Sequence, residues 1–194
     1  MRKRAVLSCL LAGLWAAGAG AGEWHVDKKS KKNEVVFTSE VVALTFEGKT
    51  DKIDGYIYWE GEELFEKKDQ VFFAVELNSL DTGIGKRDRD MRNVLDTKQW
   101  PKAVFKGEIA SHTAIDTSVT AYRVKAKGTF SVHGVERPVE VPGTIVVGDG
   151  VSRVEAEFVI KLADYKIEAP SLAAFVKVSE EVPIRVAFDL KHVK

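Results

Sequence analysis

The chain has 194 residues, 45% of them hydrophobic, with 29 Lys/Arg against 29 Asp/Glu and one cysteine. That balance leaves no basic excess for general binding of nucleic acid or anionic membrane, and one thiol cannot build a disulfide framework. The length suits a single domain with its own apolar core.

The chain opens MRKRAVLSCLLAGLWAAGAGAGEW. Arg2, Lys3 and Arg4 precede a short apolar run that ends in Ala19-Gly20-Ala21, the order of an export signal with cleavage expected after Ala21. The run is too short and too rich in glycine for a good membrane span. Only Val6, Leu7 and Ser8 separate Cys9 from the basic end and Ala5, too little apolar chain for a lipoprotein signal, so Cys9 is expected to leave with residues 1–21. The remaining domain, residues 22–194, carries 26 basic and 29 acidic side chains, a net charge of −3, and no cysteine.

Residues 34–46 (EVVFTSEVVALTF) are apolar on both faces and read as a strand with a bend or bulge. Ile53-Gly55-Ile57-Trp59 and Val71-Phe73-Val75-Leu77 alternate with polar neighbours, the period of a half-buried strand. The stretch Leu80–Phe105 then packs Arg87, Asp88, Arg89, Asp90 and Arg92 close together. Met91, Val94 and Leu95 fall at i, i+3 and i+4, and Asp88 stands four before Arg92, predicting a short amphipathic helix over Arg87–Asp96 entered through a Gly83/Gly85 turn.

Ala103-Phe105-Gly107-Ile109 continues the strands. The clearest alternation is Tyr122–His133, with Tyr122, Val124, Ala126, Gly128, Phe130 and Val132 on one face and Arg123, Lys125 and Lys127 on the other. Val139–Val147, Val154–Leu162 (Phe158 inward) and Val182–Leu190 (Phe188 inward) follow, with Ala169–Phe175 read as a loop or single turn. About eight one-sided strands point to an all-β antiparallel sandwich or barrel.

Gly55, Gly107, Gly128, Gly143, Ala126 and Ala156 occupy inward positions beside phenylalanines and Trp59. Small inward residues either leave room for a ligand inside a barrel of this size or let strands bend sharply. Their recurrence on several strands favours room, and Gly128, between Ala126 and Phe130, is expected to border it.

Signals for catalysis are weak. His25, His112, His133 and His192 lie far apart without metal-ligand spacing, so neither metal nor cofactor is expected. Gly83-Ile84-Gly85 has Asp88 where a dinucleotide fingerprint needs its third glycine, and no nucleophile elbow occurs. Lys86, Arg87, Arg89 and Arg92 either meet a polar head group or form a solvated helix face with internal ion pairs, and the second reading is favoured on physical grounds.

Leu80-Asp81-Thr82-Gly83, Lys86-Arg87-Asp88, Met91-Arg92, Leu95-Asp96, Trp100-Pro101 and Phe105 together resemble the signature of the YceI-like family of polyisoprenoid-binding proteins. Gly128-Thr129-Phe130 with His133-Gly134-Val135-Glu136-Arg137-Pro138-Val139 resembles that family's second motif, and Trp24, Asp27, Ser30, Val35 and Phe37 fit as well. Leu162–Ile167 departs from it, standing where many members carry an arginine and a phenylalanine-glycine pair.

The resemblance implies a lipocalin-like antiparallel barrel of about eight strands, one short helix near its mouth, and a location in the periplasm. It also implies a polyisoprenoid or isoprenoid-quinone-like lipid as partner, transient contact with envelope membranes, no nucleic acid and no enzymatic role. The expected ligand-binding residues are Trp59, Phe73, Phe105, Gly128, Phe130, Phe158 and Phe188, with Arg87 and Asp88 at the head-group end. Two alternatives are an eight-stranded outer-membrane barrel and an enzyme acting on an isoprenoid lipid.

Overall fold

The computed structural model describes residues 21–41, 44–116, 120–169, 171–173 and 176–193. The expected export signal thus lies outside the described residues except for Ala21, where the first strand begins. The strands are β1 Ala21–Val26, β2 Glu34–Val41, β3 Leu44–Thr50, β4 Ile53–Glu60, β5 Lys67–Glu76 and β6 Lys102–Asp116. They continue as β7 Ala121–Val132, β8 Val135–Val147, β9 Val151–Lys161, β10 Ser171–Ala173, β11 Val176–Lys177 and β12 Glu181–His192. One α-helix, α1 Gly85–Val94, and 3-10 turns at Leu77–Ser79 and Leu162–Tyr165 complete the order.

Ten strands share one sheet, in the order β1-β4-β5-β6-β7-β8-β9-β12-β2-β3, and β1 also pairs with β12. Eight of them therefore close into an antiparallel barrel, the one of the two architectures left open by the alternation that the family resemblance implied. Its membership differs from expectation at one place. β1 completes the ring, while residues 34–46 do not form one bent strand but turn back on themselves as the β2–β3 hairpin. Val35 and Val36 are both buried, which accounts for the apolar character of both faces.

The hairpin hangs from β12 at a fork. Ile184–Ala187 of β12 pair with β2, whereas Leu190–His192 pair with β1. The polar groups of the fork are tied off locally. The Asp189 carboxylate accepts from Ser30 Oγ at 2.6 Å and Arg153 Nη1 at 3.1 Å, and its backbone N–H donates to Asn33 Oδ1 at 3.0 Å. Asn33 in turn donates to the Asp27 carbonyl at 2.9 Å. Without these bonds the fork would bury unpaired backbone groups, each costing about 1–3 kcal/mol.

The two motif regions meet in space. β7 and β8 are joined by His133 and Gly134, both at positive φ, the geometry of a two-residue hairpin turn. Gly134 leaves the space that the Trp100 ring fills; a Cβ there would lie 2.5 Å from it. Phe105 stands opposite Phe130 in the β6–β7 ladder.

The helix runs Gly85–Val94 rather than Arg87–Asp96. Gly83 at φ +78 turns the chain in, and Asp96 at φ +43 ends it, with the Leu95 N–H still donating to the Met91 carbonyl at 2.9 Å. The loop expected over Ala169–Phe175 contains β10, paired with β11; Pro170, Ala174 and Phe175 lie outside the described residues.

Candidate functional site

Alternation along each strand sends apolar side chains to the barrel interior and charged ones outward. On β7, Val124, Phe130 and Val132 are buried while Arg123, Lys125 and Lys127 are exposed. That is the reverse of a barrel embedded in lipid, whose apolar band faces out. The interior is not filled. A cavity of about 680 Å³ runs through it, within the range of small-molecule sites. Its wall is built from aliphatic and phenylalanine side chains of the strands, and its charged residues, Lys86, Arg87 and Asp90, all belong to α1.

One end of the barrel is shut by aromatic rings. Trp24 on β1, Trp59 on β4 and Phe65 in the β4–β5 connection stand edge to face, with centroids 5.1, 5.3 and 5.8 Å apart. Such contacts add to the area these rings bury. His192 stacks flat on Trp24 at 4.5 Å and shares a 2.7 Å hydrogen bond with Ser152 Oγ. Burial holds the His192 imidazole below its ordinary pKa of 6.5, against the opposing charge of Asp149. The Trp59 ring lies over Gly22, where any Cβ would overlap it.

The other end is open. Leu44 at the start of β3 and Ile84 before α1 both line the cavity and are 57% and 53% exposed. Met91 and Val94 of α1, with Leu95 just after it, face the second half of the core, which includes Phe130, Leu162, Tyr165 and Ile167. The helix is thus a wall of the mouth, set between the barrel and the β2–β3 hairpin.

Arg87 and Asp88 do different things there. Arg87 lines the cavity, places its guanidinium 4.2 Å from the Phe46 ring centroid, and donates to the Thr82 carbonyl at 2.5 Å. Asp88 points away from the cavity. Its carboxylate accepts from Thr82 N–H at 2.9 Å and Thr82 Oγ1 at 2.5 Å, and these bonds hold its pKa below the usual carboxylate value. Asp88 therefore pins the turn that leads into the helix, by pairing the backbone N–H and the hydroxyl of Thr82.

Of the residues expected at the site, Phe73, Phe105, Phe130, Phe158, Phe188 and Arg87 line the cavity, and Trp59, Gly128 and Asp88 do not. Trp59 belongs to the aromatic end. Gly128 faces Gly107 across the β6–β7 ladder, and a Cβ on it would run into the Lys106 carbonyl oxygen and lie 2.7 Å from the Gly107 Cα. Its small size lets two backbones approach, so the expectation that it borders open space is corrected in favour of strand geometry. Gly143, Ala126 and Ala156 do line the cavity.

The sequence reading missed Phe65, a lone aromatic between Glu62-Glu63 and Glu66-Lys67-Lys68, where no period marks it. It also missed the mouth residues Leu44, Phe46 and Ile84, whose only signal is apolar character beside turns. Leu162 and Ile167, in the segment that departs from the family pattern, line the cavity too. Among the described residues, no group of three or more His, Cys, Asp or Glu is placed to hold a metal ion. No described helix is long and apolar enough to cross a membrane.

A family model described as the YceI-like domain matches residues 24–190. The chain belongs to this family. The YceI-like barrel superimposes on BcnA of Burkholderia cenocepacia with a TM-score of 0.67 at 18% identity, covering 84% of this chain and 98% of that one. It also matches a polyisoprenoid binding domain from Saccharophagus degradans implicated in plant cell wall breakdown, with a TM-score of 0.64 at 18% identity, covering 87% and 97%. The YceI protein of Campylobacter jejuni matches at a TM-score of 0.56 and 16% identity, covering 76% and 84%. At these identities the likeness is one of fold. A search of curated proteins gives no significant match.

Proposed function

We propose that this YceI-like chain is an exported lipid-binding protein that holds a polyisoprenoid or isoprenoid-quinone-like lipid in its barrel, for transport, storage or sequestration in the periplasm. The observation that carries this reading is the cavity: about 680 Å³ walled by hydrocarbon, its charged lining residues among those described all on α1 at its mouth. A lipid tail entering it gains roughly 0.8 kcal/mol per buried CH₂, before the cost of ordering the chain. The tail goes in first, and a polar head remains beside Lys86 and Arg87. The polyisoprenoid binding domain among the structural neighbours supports the choice of lipid class. Release at or near a bilayer follows, because a long apolar tail has no stable path through water.

Native mass spectrometry of the protein purified from its own cell envelope, with the released molecule identified, tests the reading. A bound isoprenoid lipid is expected; an empty barrel, or a polar occupant, overturns it. Export is tested by N-terminal sequencing of the mature protein. The expected first residue is Gly22, and retention of residues 1–21 or a lipid on Cys9 overturns that part.

A further inference from the structure

The cavity has a definite depth because only one end is open. Trp59 follows Ile57 by two residues on β4, so its ring occupies the next inward position beyond a residue that lines the cavity. Trp24 stands directly opposite Ile57 across the β1–β4 ladder. Phe65 closes against both rings and against His112 at 5.7 Å. All three are at most 5% exposed, and none lines the cavity. The hydrocarbon wall therefore ends on them.

Two independent measures give the size of what fits. By volume, about 680 Å³ holds on the order of 20 methylene-sized groups at the ~30 Å³ of a water-sized group. By length, the cavity-lining residues of β7 run from Val124 to Val132, about 26 Å at ~3.3 Å per residue. A strand tilt of about 40° brings this to a depth of about 20 Å. One trans isoprene unit advances ~5 Å, four zigzag bonds of ~1.5 Å. Both measures arrive at about four five-carbon units.

We propose that Trp24, Trp59 and Phe65 form a stop that sets chain length, so that the barrel encloses about four isoprene units and leaves any further units outside the mouth. This rests on the lipid-binding reading above and specifies it. Leu44 and Ile84, exposed at the rim, are where the emerging part of a longer chain would lie.

The test is a titration of the delipidated full-length mature protein with all-trans prenyl alcohols of three, four, five and nine units. Affinity is expected to rise at least about tenfold from three units to four, the gain of five buried carbons less the cost of ordering them, then to change by less than about threefold up to nine. Trp59→Ala should move the break to five units, and Phe65→Ala, placed on a connection rather than a strand, gives the same readout should the first variant not fold. Affinity that keeps climbing to nine units in the wild type overturns the stop but leaves lipid binding standing. A break that stays at four in a folded variant overturns the assignment to these rings. If no alcohol binds at any length, both this inference and the lipid-binding reading fail. The wild-type series decides the limit without any variant.

Discussion

The two ends of this barrel are built on opposite principles. The closed end is a stack of aromatic rings, fastened by the β1–β12 pairing and by His192. The mouth is a helix, a hairpin and a turn held by polar bonds: Asp88 to Thr82, Arg87 to Thr82, and a backbone bridge between Lys49 and Asp81. Apolar packing is non-directional and scales with area, so it suits a permanent seal. A few directional bonds around an open space suit an element that must be specific in shape and still admit a long molecule. Stability should therefore be concentrated at the closed end, and ligand effects at the mouth.

Trp24→Ala should cost the most stability, about 3–5 kcal/mol, because the ring is 3% exposed and packs on Trp59, Phe65 and His192. Denaturant unfolding measures it, and a loss under about 1 kcal/mol would break the contrast between the ends. Gly128→Leu, on the barrel wall between them, should cost about 3 kcal/mol because the Lys106–Gly107 backbone must move. A variant that folds with wild-type stability but has lost its lipid would instead restore Gly128 to the cavity wall. At the mouth, Asp88→Ala should cost about 2 kcal/mol by leaving the buried Thr82 N–H unpaired. Hydrogen exchange of α1 amides should rise with it, while the closed-end strands keep their protection. Leu44→Ser should change stability by less than about 0.5 kcal/mol, since the side chain is exposed.

Acid should separate the same two regions. His192 has a lowered pKa in the folded state, so it binds fewer protons there than in the unfolded chain around its ordinary value of 6.5. Its contribution is fully present above that value and is lost as pH falls through the folded pKa. Asp88 is also lowered, from 3.8, so its contribution holds above about pH 4 and is lost only in stronger acid. Trp24 fluorescence, sensitive to the stacked imidazole, should shift in the first window, and α1 should loosen in the second. His192→Asn should remove the first shift and leave the second; if both persist, the imidazole is not the closed end's titrating group.

Alternation made β4 to β9 and β12 legible, because a period of two with charges on one face has no other structural solution. The same rule placed Phe73, Phe105, Phe130, Phe158 and Phe188 inward, and all five line the cavity. It could not place Trp59 or Gly128 correctly, although both are also inward. Parity along a strand says which side a residue faces, and not how deep it lies or what stands opposite. The hairpin at residues 34–50 escaped for a related reason: the neighbours Val35 and Val36 are both buried and the apolar Leu44 is exposed, so no alternation marks where one strand ends and the next begins.

The amino-acid order alone determined about eight one-sided antiparallel strands, one short helix before the fourth of the ring strands, and two motifs whose family resemblance implied a barrel. Those are local properties, set by period, turn chemistry and residue type. Only the tertiary structure decided that the interior is partly empty, that one end is sealed by Trp24, Trp59 and Phe65, and that Asp88 braces a turn while Arg87 faces the cavity. Each of these depends on which side chains converge from strands far apart in the chain, and convergence is fixed by register, tilt and closure, which no stretch of sequence contains by itself.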